Sequence, residues 1–227
     1  MYGIISDLDK KAIRVEGVGR ISVKPDRIII NIDHKVTEPI YEDSLGRATK
    51  ELDILRSALV SAGHKLDSLI TESFSVDTVY KRYKKGDESY ERFAGYACYH
   101  RLRLEFDYDK KILSKTINAI TNCNVHPRFD IEFSIKDKSL IARQLLERAI
   151  ADSFEKAELL SKAADIQLGA ICAIDCSRNE IRFHSITKIH IERSSEGRMK
   201  CSTGCNLEIE PNVVSVSSEV SVVWEIQ

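Results

Sequence analysis

Residues 139–166, SLIARQLLERAIADSFEKAELLSKAADI, decide how the rest of the chain is read. Ala142, Leu146, Ala149, Ser153, Ala157, Leu160 and Ala164 recur every three or four positions, so they share one face of a helix that stops before Leu168-Gly169. Most of these side chains are small. A stripe of small residues lets a helix lie close against a sheet or against another helix. It is a packing device and not a catalytic one.

The segments before the helix alternate with a period of two. Ile13, Val15, Gly17, Gly19, Ile21 and Val23 interleave with Arg14, Glu16, Arg20 and Lys24, and after Pro25-Asp26 the pattern resumes at Ile28, Ile30, Ile32, His34 and Val36. The two runs read as an antiparallel hairpin with one wet face. Tyr41, Leu45, Ala48, Leu52, Leu55, Leu59 and Ala62 then mark an amphipathic helix capped by Gly63, whose short heptad-like stripe is read as core packing. Two long strands follow. Ile70, Glu72, Phe74, Val76, Thr78 and Tyr80 lie on one side of the first, and Tyr96, Cys98, His100, Leu102, Leu104 and Phe106 on one side of the second. The charged tip between them is YKRYKKGDESYERF, residues 80–93. A helix from the N-cap Asp109 to Asn122 precedes a strand carrying Phe129, Ile131, Phe133 and Ile135.

Beyond the long helix, strands are predicted at 170–176, at 181–192 and over Val214–Ile226, with the polar loop SSEGRMKCSTGCN before the last. The order ββαββαβαβββ predicts an α+β fold, its largely antiparallel sheet or sheets of about eight strands covered by three helices. Residues 1–12 read as a tail and 13–227 as one domain, with room for two subdomains meeting near 137.

Composition narrows the function classes. The 227 residues are 43% hydrophobic, enough for a sizeable core. Lys plus Arg is 34 and Asp plus Glu is 35, a net charge of -1 that exerts no global pull on nucleic acid or acidic membrane. No stretch approaches the roughly 20 apolar residues of a membrane span. Asp7 and Asp9 stand where an export signal needs an apolar run, so a cytoplasmic protein is expected. Cys98, Cys123, Cys172, Cys176, Cys201 and Cys205 read as free thiols of a reducing compartment.

Four features of the sequence bear on chemistry. Gly17-Val18-Gly19 begins like a dinucleotide fingerprint, but Ser22 replaces the third glycine and a strand follows where a helix is required. Glycines here read better as a close backbone approach. Cys172 and Cys176, four apart on a strand, are about 13 Å apart and cannot share an ion. Cys201 and Cys205 flank Ser-Thr-Gly in a loop and are the candidates for a metal knuckle, with His184 as a further ligand, or for a redox pair. Lys81, Arg82, Tyr83, Lys84 and Lys85 form a basic and aromatic patch suited to an oligomer contact or to stacking bases, opposed by Asp87, Glu88 and Glu91 across the tip. No GxSxG, HExxH or phosphate-binding loop is present, and His100 reads as a satisfied core histidine.

Four segments stand out: Val15-Glu16-Gly17-Val18-Gly19 through Val23-Lys24-Pro25-Asp26, Gly95-Tyr96 opening a strand, Ala142–Gly169 with Ala149, Lys156, Ala157, Lys162 and Leu168-Gly169, and the ending Pro211–Ile226. Together they resemble the SIMPL-domain family, also called DUF541, which includes bacterial surface or periplasmic antigens and oxidative-stress-defence proteins. The resemblance runs from about residue 13 to 226. It implies an α+β fold and, for some members, large ring- or channel-like homo-oligomers. It supplies no catalytic residue and no cofactor. Many members look exported, and this chain departs from them at its N-terminus. The expectation is a non-enzymatic protein acting through homo-oligomerisation or binding of a protein partner, with a stress role implied by resemblance alone. Two alternatives stand beside it: the Cys201–Cys205 metal or redox module, and nucleic-acid binding through the basic tip.

Overall fold

Alternation and helical periodicity resolve into strands and helices in a computed structural model that describes residues 12–85, 88–176, 181, 183–191 and 209–227, the side chains of Lys85 and Glu88 excepted. The elements are β1 (Ala12–Val23), β2 (Arg27–Glu38), α1 (Tyr41–Ser61), β3 (Leu69–Lys85), β4 (Glu88–Asp107), α2 (Lys110–Asn122), β5 (Arg128–Ser134), α3 (Lys138–Ala163), β6 (Leu168–Cys176), β7 (His184–Ile191) and β8 (Val214–Ile226), with a 3-10 turn at Leu66–Ser68. This is the predicted order and an α+β fold. The sheets are β1-β8-β6 and β3-β4-β2-β5-β7. Each belongs to its own compact unit, the first taking the chain as far as Lys24 with Ile135–His184 and Val213–Gln227, the second Pro25–Ser134 and Ser185–Asn212.

The expected β1–β2 hairpin is corrected. β1 pairs antiparallel with β8, from Ala12 opposite Glu225 to Val23 opposite Val214, whereas β2 lies between β4 and β5. Alternation identifies a strand without naming its partner, and proline, with φ fixed near -65°, cannot enter the primed two-residue turn that closes such hairpins. Asp26 instead donates its N–H to the Ser134 carbonyl (3.2 Å) and accepts from the Tyr108 N–H (2.8 Å), which starts β2 between its two neighbours.

In the first unit α3 covers β1 and β8. Its buried face is Ile141, Leu145, Ala149, Ser153, Ala157 and Ser161. The predicted stripe is therefore right at its centre and wrong at its ends, where Leu146 and Leu160 are exposed. Strict four-residue spacing drifts around a helix by about 40° per step, as a helix laid over a twisted sheet requires. The small central residues meet the strand glycines. A Cβ on Gly17 would stand 2.0 Å from the Ala149 carbonyl oxygen and 2.7 Å from Ser153 Cβ, and one on Gly19 would stand 2.0 Å from the Leu145 carbonyl oxygen. Gly17-Val18-Gly19 is thus a helix-docking surface.

In the second unit Ile28, Ile30, Ile32, Leu102, Leu104, Ile131 and Phe133 of the sheet pack with Leu55 and Leu59 of α1 and Leu113, Ile117 and Ile120 of α2. α1 ends at Gly63, whose φ is +105°. The Gly63 N–H donates to the Val60 carbonyl (3.0 Å) and the His64 N–H to the Leu59 carbonyl (3.1 Å), a Schellman closure. Asp109 caps α2 by accepting from the N–H groups of Lys111 and Ile112 (2.7 and 3.0 Å). The expected single face of β3 is corrected by a bulge. Glu72 is skipped in the pairing, so Ile70 opposes Arg103 while Phe74 opposes His100 on the other face. One extra residue inverts the alternation beyond it.

Candidate functional site

The feature that leaves the packed body of the second unit is the β3–β4 hairpin. β2 accompanies β4 only as far as Glu38 opposite Tyr96, and the hairpin continues to Lys85 opposite Glu88. Over that length each strand has the other as its only strand neighbour among the described residues. The departure is built at Gly95. Its φ is +132°, and a Cβ there would stand 2.3 Å from the Glu38 carbonyl oxygen. A register shift falls opposite it, between Val79 and Tyr80. Only glycine accepts both the dihedral and the approach.

The shift sorts the tip residues onto two faces. Tyr80 opposes Phe93, Arg82 opposes Glu91 and Lys84 opposes Ser89 on one; Lys81 opposes Arg92 and Tyr83 opposes Tyr90 on the other. On the first face the rings of Tyr80 and Phe93 meet edge-on at 5.9 Å, Phe93 meets Tyr96 at 5.3 Å, and Tyr96 meets Tyr41 of α1 at 5.5 Å. This ring ladder ties the projecting strands to the helix. Arg82 is held by Glu91 at 2.9 Å. On the second face two cations stand directly opposite one another beside a tyrosine pair, an arrangement that costs free energy unless an anion covers it. Tyr80, Tyr83, Tyr90 and Phe93 are all about half exposed, from 45% to 56%.

The structure therefore divides the predicted patch. Lys81 and Tyr83 act on one face, Arg82 and Lys84 on the other, and of Lys85 only the backbone is described. Arg92 and Tyr90, which complete the cationic and aromatic face, were not singled out in the sequence. Cross-strand register is the signal that finds them.

A second cluster of polar side chains lies between the sheet and α1. His34 is buried and its Nε2 meets Glu51 Oε2 at 2.6 Å; Glu51 Oε1 accepts from Arg47 Nε at 2.7 Å, and Arg47 reaches Glu38 at 2.6 Å. His100, directly across from His34, is buried and meets the Thr71 hydroxyl at 2.9 Å. Burial and the neighbouring His34 and Arg56 push His100 below its ordinary value. Burial raises the Glu51 carboxyl, but the hydrogen bonds from His34 and Arg47 outweigh it and the net shift is downward. Glu51 meets His34, and among the described residues His100 has the Thr71 hydroxyl and no carboxylate as its hydrogen-bond partner. His64 Nε2 lies 2.6 Å from Thr116 Oγ1, whose hydroxyl is within 2.7 Å of the Ile112 carbonyl. These groups satisfy one another as a core does.

Cys172 and Cys176 are exposed on β6, and Cys98 and Cys123 are buried. Ser44, fully buried, bridges Cys98 Sγ (3.0 Å) and the Tyr96 carbonyl (3.2 Å). Cys201 and Cys205 lie outside the described residues, as does the whole of the predicted polar loop, and His184 opens β7. Among the described residues no three His, Cys, Asp or Glu side chains converge as a metal site. No described helix is long and apolar enough to cross a membrane.

No curated protein matches the chain. A match to the family described as SIMPL, protein of unknown function (DUF541), covers residues 13–224. That span takes in β1, whose glycines seat α3, as well as the Gly95 step of the hairpin and nearly all of β8, and the chain belongs to the SIMPL family.

Proposed function

We propose that this protein performs no chemistry of its own and works in the cytoplasm by self-assembly or by holding a protein partner, with the β3–β4 hairpin as the contact. The observation that carries the reading is a registered hairpin that outruns its sheet with four half-exposed aromatic rings and, among the described residues, unpaired strand edges. Aromatic side chains bury much area at little entropic cost, and bare edges accept a further strand. The family resemblance adds the precedent of ring- or channel-like assemblies. A stress-related role rests on that resemblance alone.

The test is absolute mass by light scattering after gel filtration, across a range of dilutions. A species well above the 25.7 kDa of one chain is expected, smaller or absent in a Tyr83→Ser/Tyr90→Ser variant. A wild-type monomer that also retains no protein partner on a column bearing the chain would sink the proposal.

The facing Lys81–Arg92 pair favours a second reading, an anionic single strand laid over Tyr83 and Tyr90. That reading requires binding to a short oligonucleotide that weakens with salt and is lost in Lys81→Ser/Arg92→Ser.

A further inference from the structure

The two faces of the projecting hairpin are finished differently. On one, Arg82 holds a carboxylate, Glu91 at 2.9 Å. On the other, Lys81 and Arg92 stand directly opposite each other, and among the described residues neither meets a carboxylate. Like charges across a ladder repel, and an acid brought alongside relieves the repulsion. The next rung outward on that face is Tyr83 opposite Tyr90, each ring 51% exposed.

The edge beside these rungs belongs to β4. Along one side β4 has β3; along the other, β2 ends at Glu38 opposite Tyr96. From Glu88 to Gly95 the outer edge of β4 therefore carries no strand among the described residues. Edges are commonly blunted by proline, lysine or a bulge. From Glu88 to Phe93 β4 has no proline or lysine, and its pairing with β3 runs without a shift from Lys85 opposite Glu88 to Tyr80 opposite Phe93.

We infer that the outer edge of β4 is the joint between two copies of this chain, paired antiparallel about a two-fold axis that passes beside Tyr90, normal to the hairpin. The inference deepens the self-assembly reading and rests on it, adding the strand, the symmetry and the register. An antiparallel edge is its own complement under such an axis. Directly opposed residues share a face, so even-numbered residues meet even-numbered ones. Charge then selects the register. A ladder centred on Arg92 sets two arginines together, one centred on Glu91 sets two glutamates together, and one centred on Ser89 leaves Arg92 past the start of the second copy's strand. Centred on Tyr90, the ladder brings Arg92 across from position 88 of the second copy, a glutamate in the sequence, and Glu91 across from Ser89. This register supplies the acid that the Lys81–Arg92 rung lacks, once on each side of the axis, and lays Tyr90 beside Tyr90 of the second copy. It also ends the ladder at Arg92, short of Gly95, whose Cβ position is 2.3 Å from the Glu38 carbonyl oxygen and 3.0 Å from Pro39 Cα.

The experiment is light scattering after gel filtration on the full chain carrying single and paired charge changes, with folding verified by circular dichroism. Arg92→Glu and Glu88→Arg each set like charges across the joint, and each is expected to lower the mass by a factor of two or more. Glu88→Arg/Arg92→Glu exchanges the signs and should recover the wild-type mass. Residues four apart on one strand are about 13 Å apart, too far to pair within a copy, so recovery reports a contact between copies. Single variants of unchanged mass, or a double variant that stays as small as the singles, overturn the inference. If Tyr83→Ser/Tyr90→Ser lowers the mass and the charge variants do not, the hairpin contact stands and this joint falls; a wild-type monomer, with or without oligonucleotide binding, removes both. Should a charge variant not fold, Tyr90→Cys on Cys172→Ser/Cys176→Ser/Cys201→Ser/Cys205→Ser protein decides. A disulfide-linked dimer on mild oxidation supports the register, since directly opposed strand residues lie within disulfide reach, and its absence overturns it.

Discussion

At the scale of single residues, two glycines set the distance between α3 and its sheet. Gly17→Ala would drive a methyl group into the Ala149 carbonyl and Ser153, and the neighbours are backbone atoms that cannot swing aside. We expect a loss of about 3 kcal/mol, read as a lower urea midpoint. Gly46, exposed within α1 with nothing within 4 Å of its Cβ position, is the control. Gly46→Ala should raise stability by about 0.7 kcal/mol through helix propensity. Titration is also a residue-scale matter. His64 and His100 are lowered below the ordinary 6.5, His64 by burial and His100 by burial and nearby cations. The unfolded chain then binds more protons than the folded one just below pH 6.5, so stability falls as pH drops from neutrality toward the depressed values. Thermal melts from pH 7.5 to pH 5.5 should show this slope, and His100→Gln should flatten it. Glu51 and Glu105 carry depressed carboxyls despite burial, because hydrogen bonds from His34 and Arg47, and from Arg27, outweigh it. Their contribution is present above the unfolded value near 4.5 and is lost as pH falls through the folded one.

At the scale of elements, caps and edges were unequally legible. Asp109 before a helical run was readable as an N-cap, and so was Gly63 as a C-terminal stop, because both act on backbone groups a few positions away. Asp109→Ala should cost about 1 kcal/mol of stability, measured by chemical denaturation. Arg148, Asp152 and Lys156 of α3 bind the Arg20 carbonyl, the Val18 N–H and the Glu16 carbonyl, and this was not legible, since those partners lie more than a hundred residues earlier. Asp152→Ala leaves the Val18 N–H without its acceptor. It should cost about 1 kcal/mol and speed hydrogen exchange at that amide more than at its β1 neighbours. The β3 bulge was equally hidden, because a skipped residue leaves no mark on an alternating run until the partner strand is known.

At the scale of the whole molecule, the sequence reading and the structure diverge over partners. The open face of the five-stranded sheet shows why. Arg103 pairs with Glu105 on its own strand and with Glu72 across, and Arg27 with Glu105, Arg101 with Asp33 and Lys188 with Glu132 are further cross-strand pairs. That face offers little to an incoming protein. The half-exposed rings at the hairpin offer more. If the hairpin carries the contact by its rings, the mass should hold at high salt; if the Lys81–Arg92 pair carries it, the mass should fall as salt rises.

The sequence by itself determined the kind and order of the elements, the helix caps and the family, because alternation, helical period and capping are local patterns. Only the tertiary structure decided that β1 belongs with β8 and not with β2, that Gly17 and Gly19 are a seat for a helix, that Arg92 and Tyr90 complete the hairpin face, and that one flank of α3 holds the outward backbone groups of β1. Each of these depends on which distant backbone lies alongside. Strand partners are chosen by which pairing buries the most apolar surface and satisfies the most backbone groups across the folded chain, and a single run of residues does not contain that sum.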